Sequence, residues 1–281
     1  MQRMPLPASL VEHARAYAEG SATPAEPRDA ATVVLLRPDD RGSSVYLLRR
    51  QTSMAFAGGM CVFPGGGVDP RDFDHAVAWA GPDPAEWARR LDVDERRARA
   101  LVCAAVRETF EESGVLLAGT ADEVVGDTTG EDWEADRVAL EARELSLTDF
   151  LDRRGLVLRS DLLGAWAAWL TPEFEPRRYR TWFFVAALPE GQVTRDVSTE
   201  SSSVMWLPVP DATARADAGE VFMMPPTYLT CLDVDRHGSP RDVLAEAATR
   251  EVTMFMPEVV SVDGGHFLSM PPGSEALVAD R

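Results

Sequence analysis

The run Arg107-Glu108-Thr109-Phe110-Glu111-Glu112-Ser113-Gly114 places three carboxylates at helical spacing. At that pitch Glu108, Glu111 and Glu112 share one side of a helix, while Val102, Val106, Thr109 and Phe110 gather on the other. Like charges stacked in this way repel one another, and the C-terminal end of a helix disfavours negative charge. A divalent cation removes both penalties, because hard cations such as Mg²⁺ take carboxylate oxygens and keep waters for a phosphate ligand. A solvated face in an acidic protein accounts for the same run. A second stretch bears on the choice. Pro64-Gly65-Gly66-Gly67 suits neither helix nor strand, since glycine weakens both and proline removes a donor. It reads as a sharp turn that lays backbone carbonyls or amides against another group. Together, the turn and the glutamates point to cation and phosphate chemistry more strongly than either does alone. Arg177, Arg178 and Arg180 form a dense basic cluster suited to bidentate phosphate contacts, and suited equally to pairing with nearby acids. His13, His75, His237 and His266 lack ligand spacing and read as surface or turn residues.

The elements that must position these groups follow from pattern. The periodicity predicts a helix over 92–113, with Asp92 capping it, Glu95 in the capping-box position and Gly114 as its stop. Ala31–Arg37 is a β-branched run that fits a buried strand, and VYLLRR returns after RPDDRGSS as its hairpin partner. Residues 69–94 read as an excursion without strand signal and with one short helix at Pro84–Leu91. Further strands are expected at VLLAG, GAWAAWLTPE, RYRTWFFVAALPE and VMWLPVP, and an amphipathic helix over Glu131–Leu151. The prolines of FMMPPTYL read as an interruption of helix, and Val252–Met270 as a hairpin turning at Asp263-Gly264-Gly265. Mixed strands and helices of unequal length give an α+β or α/β/α sandwich. The chain divides into an N-terminal helix and linker (1–28), a central domain (29–232) and a C-terminal extension (233–281).

Bulk properties narrow the partners. A net charge of −18 over 281 residues argues against a broad basic face for nucleic acid. It still permits an anionic small molecule, provided metal ions stand between the charges. Cys61, Cys103 and Cys231 lack CxxC spacing and read as small core residues. No apolar run is long enough to cross a bilayer, and the N-terminus lacks the apolar middle of a signal peptide, so a cytoplasmic protein without membrane contact is expected.

Pro64-Gly65-Gly66 followed by Arg107, Glu108, Glu111, Glu112, Gly114 and Val115 resembles the Nudix box, G-x5-E-x7-R-E-U-x-E-E-x-G-U. Thr109 stands where an aliphatic residue is usual. About 27 extra residues separate the two halves, as if a surface loop had been enlarged. Strict spacing back from Arg107 places the first acid of the box on Arg99, with Asp94 and Glu95 one turn earlier as substitutes. An interrupted box is similar to the subgroup of peroxisomal coenzyme A diphosphatases, as are YLLRRQTSMAFAGGMCVFPGGGVD, WLTPEFEPRRYRTWFFVAALP and GEVFMMPPTYLT. Arg50, Gly59 and Phe63 keep parts of that subgroup's extra signature, and Ala55 stands where it has another Arg.

The resemblance implies a Nudix fold, a mixed sheet between helices carrying an insert (about 69–94). It implies a pyrophosphohydrolase that cleaves a nucleoside diphosphate linked to another moiety, with Mg²⁺ or Mn²⁺ on Glu108, Glu111, Glu112 and a carbonyl of Gly65 or Gly66. Arg107 would hold the glycine turn to the helix. Glu108 or Glu200 would act as general base, and Arg178 and Arg180 would contact substrate phosphates. Coenzyme A or its acyl esters, NADH, ADP-ribose and nucleotide sugars are the candidate substrates; RNA is not favoured. The competing reading is a catalytically silent Nudix-like module that binds a nucleotide or regulates a partner. A homodimer through the segment after Leu232 is kept open.

Overall fold

The computed structural model describes residue 6, residues 8–53 and residues 57–279. Helix α1 (Ala8–Ala18) precedes the hairpin of β1 (Arg28–Asp39) and β2 (Gly42–Arg50). Short strands β3 (Cys61–Val62) and β4 (Gly65–Gly67) follow, then a 3-10 turn at Pro70–Phe73. Next come β5 (Trp79–Ala80), α2 (Pro84–Leu91), α3 (Glu95–Ser113) and β6 (Ala118–Gly119). The chain continues through α4 (Glu131–Glu141), α5 (Leu147–Arg154), β7 (Val157–Arg159), β8 (Gly164–Leu170) and β9 (Tyr179–Ala187). After these lie β10 (Ser201–Pro208), α6 (Val209–Asp217), α7 (Pro225–Val234) and α8 (Pro240–Ala247). β11 (Met254–Phe255), β12 (Val259–Val262), β13 (Gly265–Leu268) and α9 (Glu275–Val278) are the remaining elements.

The main sheet is mixed and runs β10-β2-β1-β9-β8-β11. β1 pairs parallel to β9 along most of its length, and the β1–β2 hairpin is antiparallel. β1 and β2 pair with each other only near their shared turn, from Leu36↔Val45 to Asp39↔Gly42. Where they part, the segment 61–67 fills the gap: β3 pairs β2, and β4 pairs β1 through Thr32↔Gly65, Ala31↔Gly66 and Ala30↔Gly67. Alternation along β1 separates two cores. Ala31, Val33 and Leu35 face α2, α3, α4 and α5, while Val34 and Leu36 face α6, α7 and α8. This is the α/β/α arrangement expected from the sequence.

Several local expectations are corrected. The insert is core, not a surface loop: Trp87 and Leu91 of α2 are buried, and the Trp87 ring lies 5.8 Å from that of Phe184 on β9. Trp182 Nε1 also donates to Leu91 O at 3.1 Å, tying α2 to the sheet. The α2 boundaries match the sequence reading, but Asp92 is the left-handed C-cap of α2, with φ 54°, and Asp94 caps α3 by accepting from Arg97 N. Gly65–Gly67 is a strand, because its neighbour β1 supplies the pairing that glycine's own propensity does not. The helix foreseen over 131–151 breaks into α4 and α5 at Arg143, whose φ is 61°. Pro225 opens α7 from its first turn, where a missing N–H is harmless. The segment after Leu232 is not merely appended, since Val243 and Ala247 of α8 are buried in the second core. β12 and β13 pair around Asp263 and Gly264, both at positive φ, as a two-residue hairpin requires.

Candidate active site

Helix α3 passes over the glycine strand, and small residues permit the close approach. Ala98, Ala100, Cys103, Ala104 and Ala105 are all fully buried. Gly114 ends the helix at φ 74°, its N–H donating to Phe110 O. Thr109 is buried as well, and its hydroxyl is satisfied by Ala105 O at 2.7 Å, so the departure from an aliphatic residue leaves no orphaned group.

The glutamates do not form a solvated face. Glu111 is 7% and Glu112 8% exposed, and Glu108 lies just beside the glycines. Gly65 N donates to Glu112 Oε2 at 2.7 Å. A Cβ on Gly66 would sit 2.6 Å from the Glu108 carboxylate, so only glycine leaves that carboxylate its place. Strand geometry decides how the glycines face. Val33 N donates to Pro64 O and Val68 N to Asp29 O, so Gly66 directs its own amide and carbonyl towards β1. Gly65 and Gly67 direct theirs towards α3.

A buried cation sits among these acids. Arg107 is buried; its Nη1 donates to Glu108 Oε1 at 2.7 Å and to Glu111 Oε2 at 3.2 Å, and its Nη2 to Gly67 O at 3.0 Å. Nε and Nη2 also grip Asp72 at 3.0 and 2.8 Å. Burial works against the guanidinium's charge, but the pull of Glu108, Asp72 and Glu111 outweighs it and holds Arg107 protonated. For the glutamates the balance runs the other way. Burial is the largest influence on all three, and it raises Glu108, pushes Glu111 up to about 7 and lifts Glu112 well above the usual carboxylate range. The Arg107 guanidinium does not offset this much buried negative charge.

Asp72 was not foreseen. It is 2% exposed in the 3-10 turn after the glycine strand, where it also accepts from Asp69 N at 2.8 Å. Counting back from Arg107 leads to Arg99, with Asp94 and Glu95 one turn earlier. Counting forward from Gly66 leads to Asp72 six residues on, the spacing of the first acid in the box. The insert therefore lies between Asp72 and Arg107 and leaves the glycine half of the box whole. Arg99 instead lies over the ring of Trp79, and Asp94 is a helix cap.

Glu200 stands just before β10, with its Oε2 on Arg50 Nη2 at 2.9 Å. Its charge is among those that raise Glu108 and Glu112, and Arg50 is among those that lower Glu112, so this pair lies within electrostatic reach of the cluster. Arg178 and Arg180 are engaged elsewhere. Arg178 is buried and donates to Thr171 O, Ala25 O and Met256 Sδ; Arg180 pairs with Asp29 at 2.7 Å and donates to Pro27 O. Their expected phosphate contacts are replaced by links that fasten the N-terminal linker to β9. Ala55 lies outside the described residues.

The donor set suits a hard divalent cation: carboxylates in negative excess, and a backbone carbonyl at Gly65 on the side facing them. Among the described residues no three such side chains already converge as a metal cage. Arg107 draws Glu108 and Glu111, while Glu112 is turned to the Gly65 amide. No helix among the described residues is long and apolar enough to cross a membrane.

Comparison with known proteins finds Nudix relatives. The family model described as the NUDT19 Nudix domain matches residues 96–232, beginning inside α3. A putative nudix hydrolase 7 of Caenorhabditis elegans is 29% identical over 71% of this chain, which spans 57% of that relative's length. The acyl-coenzyme A diphosphatase NUDT19 of Homo sapiens is 28% identical over 90% of this chain and 77% of its own. Among solved structures, a NUDIX hydrolase from Alicyclobacillus acidocaldarius superposes with a TM-score of 0.66. It is 25% identical and covers 81% of this chain and 98% of that one.

Proposed function

Because the chain belongs to the Nudix hydrolase family, we propose that it is a metal-dependent pyrophosphohydrolase cleaving the diphosphate of a small nucleotide derivative. Coenzyme A or an acyl ester of it is the leading substrate. The human relative's name and the interrupted box support that choice. The observation that carries the reading is that Glu111 and Glu112 are buried, and Glu108 half-buried, against the glycine strand and around Arg107. Such a group is stable only if protonated or if a cation joins it.

Glu108, Glu111, Glu112 and the Gly65 carbonyl would hold Mg²⁺ or Mn²⁺. When bound, the ion neutralises the diphosphate and makes a coordinated water acidic enough to attack phosphorus near neutral pH. Arg107 holds the ligand helix to Gly67 and Asp72, which fixes the distance between glycine strand and carboxylates. To join that set Glu112 would give up the bond it accepts from the Gly65 amide. Glu108 or Glu200 would take the proton of the attacking water. The overall charge of −18 is then no obstacle to an anionic substrate, since the ion reverses the local sign.

The test is a release assay over coenzyme A, acetyl-coenzyme A, NADH, ADP-ribose and nucleotide sugars, each with Mg²⁺, Mn²⁺ or chelator. Turnover of a coenzyme A compound with metal alone is the expected result. Turnover of a different compound in the panel moves the substrate class, and binding without any turnover supports a silent nucleotide-binding module.

A further inference from the structure

The last turn of α3 carries Glu111 and Glu112 and holds no basic residue of its own. Positive charge reaches it from α4. Arg137, 3% exposed, donates from Nη1 both to the backbone carbonyl of Glu111 at 2.7 Å and to Glu141 Oε2 at 3.0 Å. The other oxygen of Glu141 accepts from Thr199 Oγ1 at 2.6 Å and from Thr199 N at 3.3 Å. Glu200 is the next residue. The loop is fastened from its other side too, by Gln51 Nε2 to Thr199 O at 2.7 Å and Gln51 N to Glu200 O at 2.9 Å. A run of hydrogen bonds through Arg137 and Glu141 thus links the carboxylate helix to Thr199, beside Glu200, without passing through the side chains of Glu108, Glu111 or Glu112.

We propose that the Glu141–Thr199 contact is a strut that positions Glu200 as proton acceptor for the attacking water, a role that rests on the hydrolysis proposed above. Glu108 is poorly placed for that work, since its Oε1 is held by Arg107 and its carboxylate abuts Gly66. The Glu200 side chain is 53% exposed, and among the described residues only its Oε2 is engaged. In the step itself a water proton passes to the Glu200 carboxylate and the water oxygen bonds to phosphorus. The phosphorus–oxygen bond of the diphosphate bridge breaks, its electron pair leaving with the departing phosphate. Glu200 then returns the proton to solvent. Glu141 and Thr199 touch no reacting atom and act only through the loop.

Thr199→Val removes the hydroxyl bond and keeps the shape; Thr199→Ser restores it. Kinetics with Mn²⁺ and coenzyme A, or with whichever compound of the panel is turned over, supply the readout. A positioned base contributes about 10²- to 10⁴-fold, so Glu200→Gln should lose at least about 100-fold in kcat. Thr199→Val should lose about tenfold in kcat, with KM and Mn²⁺ activation unchanged, and Thr199→Ser should recover most of it. In a Glu200→Gln background Thr199→Val should have no further effect, since the strut has nothing left to position. Amide exchange should quicken at 199–201 in Thr199→Val and stay unchanged at 108–113. Wild-type kcat in Thr199→Val or in Glu200→Gln, an additive loss in the double variant, or loosening of 108–113 overturns the strut. A wild-type protein that turns over nothing with any metal overturns the parent reading and this one with it. An active wild type with an indifferent Thr199→Val overturns this one alone.

Discussion

Replacing Gly66 by alanine puts a methyl carbon 2.6 Å from the carboxyl carbon and both oxygens of Glu108. An ordinary contact begins near 3.4 Å, so the carboxylate must withdraw by about 0.8 Å. It can yield, because it is the far end of a flexible side chain, tied through Oε1 to Arg107 Nη1. Gly66 is also not among the glycines at positive φ, so the alanine backbone is unstrained. Restricting the unfolded chain adds about 0.4–1 kcal/mol of stability at a compatible site. Folding is therefore expected to survive, while displacement of a metal-holding group by roughly 1 Å costs about 100-fold in rate. Gly65→Ala is the contrast. Its Cβ would lie 2.5 Å from Ala31 O and 2.7 Å from Thr32 Cα, and backbone cannot yield as a side chain does, so that variant should lose stability. The assay is kcat/KM under saturating Mn²⁺ beside the thermal midpoint of each variant. Gly66→Ala with wild-type kcat/KM refutes the claim that Glu108 needs its place beside this glycine. If Gly66→Ala melts as early as Gly65→Ala, the glycines serve the backbone alone.

Three further outcomes follow from the same geometry. Trp87→Ala empties a fully buried ring site in the insert and should cost about 3–5 kcal/mol in denaturant unfolding; a surface-like change under 1 kcal/mol would contradict the placement of α2 in the core. Asp72→Ala removes the bidentate partner of buried Arg107 and should destabilise by about 3–5 kcal/mol, whereas Asp94→Ala should cost only a cap, about 1 kcal/mol. Because burial raises Glu111 from 4.5 to about 7, the metal-free fold binds this proton more tightly than the unfolded chain. That contribution is complete below about pH 4.5 and fades as pH rises through about 7, on the order of 3 kcal/mol. Melting in chelator should therefore fall over that window and recover with Mg²⁺ at pH 7.5. A midpoint that rises over the window, or ignores Mg²⁺, would count against a cation joining the buried carboxylates.

Much of the site was legible because its pattern is local. The glutamate spacing, the Gly114 stop and the hairpin around Asp263-Gly264 each need only neighbouring residues. What escaped depends on contacts across the chain. Asp72 reaches Arg107 over thirty-four intervening residues where the box has seven, and only counting from the glycine end reveals it. The glycine strand contradicts its own propensity because β1 provides the ladder. Trp87 and Leu91 looked like part of a polar excursion until Trp182 and Phe184 of β9 supplied their partners. The sequence left Arg178 and Arg180 open between phosphate contacts and pairing with acids, because the carbonyls and Asp29 that hold them belong mainly to the linker and the start of β1. The charge that the end of α3 lacks comes from Arg137, and no helical period within α3 could have announced it.

The most direct test of the whole account is the rate of diphosphate cleavage as Mn²⁺ is titrated into metal-stripped wild-type protein and into Glu112→Gln. The wild type should be inactive in chelator and saturably activated by Mn²⁺. Glu112→Gln should fall by about 100-fold or more at every Mn²⁺ concentration, with an unchanged circular dichroism spectrum. Cleavage that persists in chelator, or a Glu112→Gln protein that follows the wild-type curve, would remove the buried glutamates from the chemistry.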